Sequence, residues 1–107
     1  MLSDDIKYRL LQHLERDPEV SQRALAKSLG ISLGKTNYCL RAVVGRGWVK
    51  ARNFKNSSKK SAYLYQLTPT GVAAKARITR RFLDRKLSEY QQLEQEIEQL
   101  RAEVQSR

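Results

Sequence analysis

The chain has 107 residues, of which 40% are hydrophobic, so it can form one domain with a single modest core. No run of 18 apolar residues is present, which excludes a membrane-spanning helix, and the acidic N-terminus is unlike a secretory signal. The single cysteine, Cys39, excludes an intrachain disulfide and fits a reducing cytoplasm.

The formal net charge is +10, and it is distributed unevenly along the chain. Residues 20–83 contain 14 Lys and Arg and no Asp or Glu, whereas residues 1–19 and 84–107 each carry a net charge of −2. Such a block repels itself unless a polyanion neutralises it, and DNA or RNA fits best. A surface tuned for solubility does not require the exclusion of acids, and no stretch pairs these charges with the bulky apolar face of a membrane-binding helix.

The first predicted element is an amphipathic helix. Its apolar residues recur every four positions, at Leu2, Ile6, Leu10 and Leu14. Ser3 and the two acidic residues after it suit a helix start, and Asp17-Pro18 ends the helix. His13 lies beside this stripe, where we interpret it as a packing or surface residue and not as a metal ligand.

Two more helices are predicted, with a tight turn between them. Ser21 can cap a short helix over residues 22–29, and Gly30 can adopt the positive φ that ends it. Ser32 can cap a third helix that runs to about Arg46. The residues predicted to face inward are Val20, Ala24, Leu25, Leu29, Thr36, Leu40, Val43 and Val44, with Cys39 at the edge of the buried face.

After the third helix the apolar period changes from helical to two. Residues 48–53 and 62–67 are predicted strands, and the polar, basic stretch FKNSSKKS between them is the predicted tip of a hairpin. Tyr63 and Tyr65 alternate in the second strand, so we expect them to pack the hairpin onto the helices. Cys39 could in principle act as a redox switch, but no second cysteine could resolve it, and we interpret it as a packing residue.

The last predicted element is one long helix. Thr68 can cap it, Pro69 suits its first turn, and no proline or glycine follows Gly71. It can therefore run to about residue 104, which makes 36 residues or roughly 54 Å. Its second half has an apolar stripe at heptad spacing, preceded by Leu83 and interrupted at Lys86: Tyr90, Leu93, Ile97, Leu100 and Val104. A lone helix would leave this stripe in water, so we predict self-association, with the direction of pairing left open.

The sequence Gly34-Lys35-Thr36 resembles the end of a phosphate-binding loop, but its context differs. Such a loop needs a glycine at the position that Leu29 occupies, and it follows a strand, whereas a helical pattern precedes Gly34. One histidine, one cysteine and no carboxylates in the basic block leave little from which to build an active site. We therefore predict no enzyme activity, no cofactor and no metal site.

The predicted order of helix, tight turn, helix and hairpin is that of a winged helix-turn-helix. The segment LAKSLGISLGKTNYCLRAVVGRGWVKA resembles the recognition unit of bacterial winged-helix transcription regulators, with Ala26 at the helix crossing and Gly30 at the turn. YQLTPTG resembles the step after the wing in the MarR (multiple antibiotic resistance regulator) family. The short chain and the helical tail look most like the small MarR-type regulators associated with exopolysaccharide gene clusters.

We therefore predict a mostly α fold, an α+β winged helix, in two parts. Residues 1–68 form the DNA-binding domain, with three helices and a two-stranded wing, and residues 69–107 form one long C-terminal dimerisation helix. Most MarR-type proteins are longer and have more helices after the wing, so here a single helix has to make the dimer. Members of that family commonly bind a small molecule between the dimer helices and the DNA-binding lobe; no effector is assigned to this chain.

The resemblance implies a bacterial cytoplasmic regulator that binds double-stranded DNA as a homodimer, by default a repressor. The predicted contacts from the third, recognition helix are Ser32, Gly34, Lys35, Asn37, Tyr38 and Arg41. The predicted phosphate contacts from the second helix are Ser21, Gln22 and Arg23. The predicted wing contacts are Arg52, Lys55, Asn56, Lys59 and Lys60. The predicted dimerisation residues are Leu83, Tyr90, Leu93, Ile97, Leu100 and Val104.

Two other functions stay open from the sequence. An RNA-binding protein or a non-specific architectural DNA-binding protein would use the basic block equally well. In a protein-interaction adaptor, the winged helix would be a scaffold and the helix over residues 90–104 would dock on another protein. Asn37 and Arg41 would then have no role in binding.

Overall fold

The computed structural model describes residues 3–56 and 59–106, and for residues 53–56 and 59–62 it describes the backbone alone. The elements, in order, are α1 (Asp4–Arg16), α2 (Gln22–Leu29), α3 (Leu33–Gly45), β1 (Val49–Asn56), β2 (Lys59–Leu67) and α4 (Pro69–Gln105). This order confirms the predicted fold class, a mostly helical winged helix. Within the described residues, every helix is too short or too polar to cross a bilayer.

Each described helix begins at a hydroxyl side chain that accepts a hydrogen bond from the backbone N–H three residues later. The bond lengths lie between 3.0 and 3.2 Å, and the capping residues are Ser3, Ser21, Ser32 and Thr68. Such a cap satisfies one of the N–H groups that a helix start leaves without a partner. Gly30 ends α2 with a φ of 69°, a left-handed conformation that glycine adopts at little cost. These local signals confirm the predicted turn between α2 and α3.

One apolar core joins all the elements. Its largest fully buried side chains include three leucines of α1, and the wing and α4 each add residues to it. The buried cluster comprises Leu10, Leu11, Leu14, Val20, Leu25, Leu29, Cys39, Leu40, Val43, Val49, Tyr65 and Ile78.

Three predicted placements around this core are wrong. Ala24 is exposed, because the buried side of α2 follows the spacing of Leu25, Ala26 and Leu29. Val44 is 37% exposed, because it lies one position past Val43 on α3 and so turns toward solvent. Cys39 is fully buried and not at the edge of the buried face.

The wing is an antiparallel hairpin that is longer than predicted. β1 and β2 pair from Val49 opposite Leu67 to Asn53 opposite Tyr63, and the pairing continues to Asn56 opposite Lys59 with one irregularity. The stretch predicted as a turn is therefore mostly strand, because backbone pairing continues between polar residues that need no buried face. At its base, the N–H of Tyr65 donates to the Pro18 carbonyl at 2.9 Å, which ties the wing to the α1–α2 connection.

The start of α4 is held against the end of α3. The backbone N–H of Thr68 donates to the Trp48 carbonyl at 3.0 Å, and its hydroxyl donates to the Gly47 carbonyl at 2.5 Å. Gly71 packs so closely on Trp48 that a Cβ at this position would overlap the Trp48 carbonyl oxygen. This contact requires glycine and fixes the direction in which α4 leaves the wing.

The first half of α4 packs on α1, and the second half projects away. Ala74 and Ile78 are buried, and Phe82 stacks on Tyr8 with ring centroids 5.1 Å apart. From Leu83 to Ser106 every residue is exposed. The molecule is therefore elongated, with extents of 69 × 26 × 23 Å. We use the term head for residues 3–56 and 59–82.

Candidate nucleic-acid interface

The outer face of α3 presents polar and basic side chains to solvent. Gly34, Lys35, Tyr38 and Arg41 are exposed, and Asn37 is half-buried. Thr36 lies on the opposite, buried side, where its hydroxyl donates to the Ser32 carbonyl at 2.9 Å. An open concavity of about 470 Å³ on this outer face is lined by Gly34, Asn37, Tyr38, Arg41 and Ala42. The predicted recognition residues of α3 therefore share one solvent-facing surface, with Ser32 at its start as the helix cap.

A chain of hydrogen bonds connects this surface to α2 and the wing. Nδ2 of Asn37 donates to Oε1 of Gln22 at 3.3 Å, and Nε2 of Gln22 donates to the Tyr65 hydroxyl at 3.4 Å. Tyr65 is buried, so it is a firm anchor for the Gln22 amide. These bonds fix which side of each amide is the donor. Asn37 keeps its Oδ1 and one N–H, the acceptor and donor pair that can bind an adenine edge.

The predicted phosphate contacts of α2 lie at its N-terminus, and the structure gives them different environments. Arg23 is exposed. The Ser21 Oγ caps α2, and Gln22 is half-buried between Asn37 and Tyr65. No acidic residue occupies the first turn of α2, so its partial positive charge is not offset there. The sequence did not predict the role of Gln22 as a link, because its partners are 15 and 43 residues away.

The wing lies beside α3 and forms a groove with it. The groove has a volume of about 370 Å³, and Leu40, Val44, Tyr63 and Tyr65 contribute apolar walls while Arg41 lies at its side. Tyr63 and Tyr65 stack with centroids 6.1 Å apart, but only Tyr65 is buried, and Tyr63 is 46% exposed. Arg52 is exposed on β1. The side chains of the other predicted wing contacts, Lys55, Asn56, Lys59 and Lys60, lie outside the described residues.

The basic block is divided between two sides of the head. On one side, acidic residues of α1 bind cations of α4: Asp4 accepts two hydrogen bonds from Arg81, at 3.1 and 3.2 Å, and one from Arg85 at 3.1 Å. Glu15 pairs with Lys75 at 2.6 Å. The hydrogen bond from Arg81 lowers the pKa of Asp4. In the described part of the chain, no acidic side chain pairs with a cation of α2 or α3. The unpaired positive charge is thus concentrated on the helix-turn-helix side.

The sequence offered one signal for this division. Asp4 and Glu15 are 11 residues apart, or about three helical turns, which places them on one face of α1. Counting charges along the chain cannot show that this face meets α4, because the paired residues are 60 to 81 positions apart.

The structure gives Cys39 the environment of a packing residue. It is fully buried, and this burial raises the pKa of its thiol. A buried thiol with a raised pKa is mostly protonated near neutral pH and therefore a weak nucleophile. Within residues 3–56 and 59–106, no cluster of His, Cys, Asp and Glu has the arrangement of a metal site.

Comparison with known proteins identifies the N-terminal part. Residues 3–50 match the winged helix-turn-helix DNA-binding family. The chain carries a winged helix-turn-helix domain. The matched segment covers α1, α2, α3 and the start of β1, and it belongs to a family of DNA-binding domains and not of enzymes. A search of curated proteins gave no significant match.

The fold resembles solved structures of transcription regulators. The transcriptional repressor CouR, bound to a 23-mer DNA duplex, has 27% sequence identity and a TM-score of 0.58, over 68% of this chain and 50% of CouR. MarR from E. coli in the apo form has 24% identity and a TM-score of 0.59, over 69% of this chain and 53% of MarR. A MepR variant from S. aureus has 19% identity and a TM-score of 0.64, over 95% of this chain and 75% of MepR. The chain thus spans about half the length of CouR and MarR.

Proposed function

We propose that this protein is a sequence-specific regulator of transcription that binds double-stranded DNA as a homodimer. The observation that carries the proposal is the outer face of α3, where Asn37 and Arg41 share one solvent-facing concavity beside unpaired positive charge. The likeness to CouR, which is described with a DNA duplex bound, supports the same use of the fold.

In this proposal, α3 enters the major groove of DNA and reads base edges. Arg41 donates to guanine O6 and N7, and Asn37 pairs with adenine through the Oδ1 and N–H that Gln22 leaves available. Gly34 has no atom within 4 Å of its hypothetical Cβ, so this part of α3 is open and can approach the duplex closely. Tyr38, which is 58% exposed, supplies an apolar and hydrogen-bonding contact next to it.

Other cations position the domain on the phosphate backbone. Arg23 and the N-terminus of α2 face one backbone, where the helix dipole and a positive side chain both favour phosphate. The wing, with Arg52 and four further predicted residues, contacts the neighbouring groove. Lys75, Arg81 and Arg85 are excluded from this role, because they are paired with α1.

The dimer forms through the exposed apolar stripe of α4 and presents two copies of α3 to one duplex. It acts in the bacterial cytoplasm as a repressor that blocks RNA polymerase by occupying a promoter, and exopolysaccharide genes are the proposed targets. The promoter fragments to examine first are therefore those of such clusters, together with the DNA upstream of the protein's own gene.

The test is selection of binding sites from a random pool of DNA duplexes, followed by affinity measurements on the enriched sequence. We expect a two-fold symmetric site, and we expect Arg41→Ala to weaken binding by about 1–3 kcal/mol and relax the preference at one base pair. Arg80→Ala is the matched control, because it removes the same charge from an exposed position of α4. Equal losses for both variants would reduce the binding to electrostatics.

The same experiment separates the other two functions. If RNA is the ligand, single-stranded or duplex RNA will compete for the protein better than the enriched DNA. If the protein is an adaptor, no sequence will be enriched, and Asn37→Ala and Arg41→Ala will leave its function unchanged.

A further inference from the structure

The second half of α4 carries an apolar stripe that nothing in the described structure covers. Its exposed fractions run from 41% to 75%, and it comprises Leu83, Leu87, Tyr90, Leu93, Ile97, Leu100 and Val104. Near its end, Ile97, Leu100 and Val104 line an open groove of about 280 Å³. A helix with such a stripe gains stability by burying it, because transfer of apolar surface from water is favourable.

The spacing of the stripe matches a two-stranded coiled coil. Tyr90, Ile97 and Val104 repeat every seven residues and occupy position a of a heptad, while Leu93 and Leu100 occupy position d. β-branched residues at a with leucine at d favour two strands over three or four in a parallel coiled coil. The occupant that fits this stripe is therefore a single second copy of α4.

The stripe begins only after α4 has left its own head. Ile78 faces α1, and at about 100° per residue the centre of the stripe lies roughly 70° around the helix from Ile78. Between the two faces stands Lys86, which lies over the Phe82 ring at 5.2 Å and pairs with Glu89 at 3.3 Å. A second helix can therefore pack on the stripe without displacing the contacts between α1 and α4.

The position of the heads decides the direction of pairing. In an antiparallel pair the heads would stand at opposite ends, with the two copies of Leu83 roughly 36 Å or more apart and the recognition helices farther out. In a parallel pair the heads stand side by side at one end. The molecule measures 26 × 23 Å across its long axis, so two adjacent heads fit half-sites about 34–36 Å apart.

The charges beside the stripe are compatible with the parallel pair. The three g positions are all glutamate, Glu89, Glu96 and Glu103. An antiparallel pair sets g positions against each other, whereas a parallel pair sets Glu96 against Arg101 of the other copy. The parallel pair also brings Glu89 near Glu94 of the other copy, and screening by salt limits the cost of that exposed contact.

We infer that the partner of α4 is a second copy of the same helix, packed in parallel as a two-stranded coiled coil over about residues 90–104. This inference rests on the proposed dimer and adds its direction. It makes α4 a connector that holds two winged helices at one end and leaves the C-termini together at the other.

Disulfide crosslinking of single-cysteine substitutions tests the direction. In a parallel pair, Val104→Cys places two thiols in one layer, and we expect a covalent dimer to form rapidly in a thiol–disulfide buffer. Ala102→Cys is the matched control, because position 102 lies on the outer face of the coil and should crosslink far more slowly. Cys39 stays in place in all variants, because it is buried in the head.

The antiparallel arrangement makes a different prediction. It brings position 104 of one copy near position 93 or 86 of the other, according to the register. A disulfide that forms only when Val104→Cys is mixed with Leu93→Cys or Lys86→Cys, and not with itself, would overturn the parallel coil while the dimer stands. A chain that sediments as a monomer at micromolar concentration would overturn both the coil and the proposed dimer.

Discussion

Asn37 of the recognition helix donates a hydrogen bond from Nδ2 to Oε1 of Gln22, at 3.3 Å. Gln22 in turn donates to the hydroxyl of Tyr65, which is buried at the base of the wing. α2, α3 and β2 are therefore joined by one chain of polar contacts directly behind the proposed base-reading surface. Asn37 is held in one orientation before DNA arrives, which lowers the entropy that binding has to supply.

The first prediction concerns this chain of contacts. Tyr65→Phe removes the acceptor of Gln22, so the Gln22 and Asn37 amides become free to turn. We expect the preference at the base read by Asn37 to fall by about 0.5–1.5 kcal/mol, the usual net contribution of one hydrogen bond. Tyr63→Phe is the control, because the Tyr63 side chain is 46% exposed and makes no hydrogen bond with the rest of the described structure. If the two variants discriminate between sequences equally well, the contact chain does not position Asn37.

The second prediction concerns the contact between Gly71 and Trp48. Gly71→Ala would push a methyl group into the Trp48 carbonyl oxygen, so we expect a loss of about 1–3 kcal/mol in the free energy of unfolding. Gly34→Ala meets no atom within 4 Å and replaces a helical glycine, so we expect a gain of up to about 1 kcal/mol. Chemical denaturation of both variants measures the difference. Equal stability of the two variants would show that α4 does not depend on this contact.

The same Gly34→Ala variant separates stability from binding. If the start of α3 approaches DNA closely, the added methyl group will weaken binding although the protein is more stable. We expect a lower affinity for the enriched duplex in a titration, with little change for scrambled DNA. An unchanged affinity would mean that DNA does not approach α3 at Gly34.

The third prediction concerns the response of stability to acid. Arg81 lowers the pKa of Asp4, so the folded state binds this proton less readily than the unfolded state. The stabilisation is present above the ordinary carboxyl pKa of about 3.9 and is lost as the pH falls through the lower pKa of the folded state. Asp4→Asn should thus be less stable than the natural chain at pH 7, and the difference should shrink at strongly acidic pH.

Asp5→Asn is the control for this measurement. Asp5 lies in the same first turn of α1, and no ion pair joins it to another described residue. Its replacement removes the same interaction with the helix dipole without removing the contact with Arg81. If both variants lose equal stability between pH 7 and strongly acidic pH, the ion pair contributes nothing beyond the dipole.

The fourth prediction concerns Cys39. Because the thiol is buried and its pKa is raised, it should react slowly with a thiol reagent at neutral pH in the folded protein and rapidly in denaturant. The reaction can be followed by absorbance with an aromatic disulfide. Rapid reaction in the folded state, together with loss of DNA binding, would revive the interpretation of Cys39 as a redox switch.

The sequence predicted the features that depend on neighbouring residues. Helix caps at Ser21, Ser32 and Thr68 act over three residues, and the turn at Gly30 follows from the conformational freedom of glycine alone. These signals placed α2, α3 and α4 correctly along the chain. They also brought the proposed contacts of α3 to one surface, because a helix places residues three and four positions apart on the same side.

The remaining features depend on contacts between distant parts of the chain. The length of the wing follows from the pairing of β1 with β2, and polar residues gave no sign of it. Ala24 and Val44 lie one or two positions from buried neighbours, so an apolar pattern alone cannot tell which of them faces the core. The link through Gln22 and the pairing of Asp4 with Arg81 span 43 and 77 residues, and only the folded structure brings these groups together.

The most direct test of the central claim is a salt series. Binding to the enriched duplex and to a scrambled duplex of equal length is measured by fluorescence anisotropy from low salt to above about 150 mM. We predict that binding to the enriched duplex persists at that salt, with an affinity at least about 10³-fold higher than for scrambled DNA. Equal affinities that fall together as salt rises would contradict the account, because only the electrostatic attraction of a basic surface would remain.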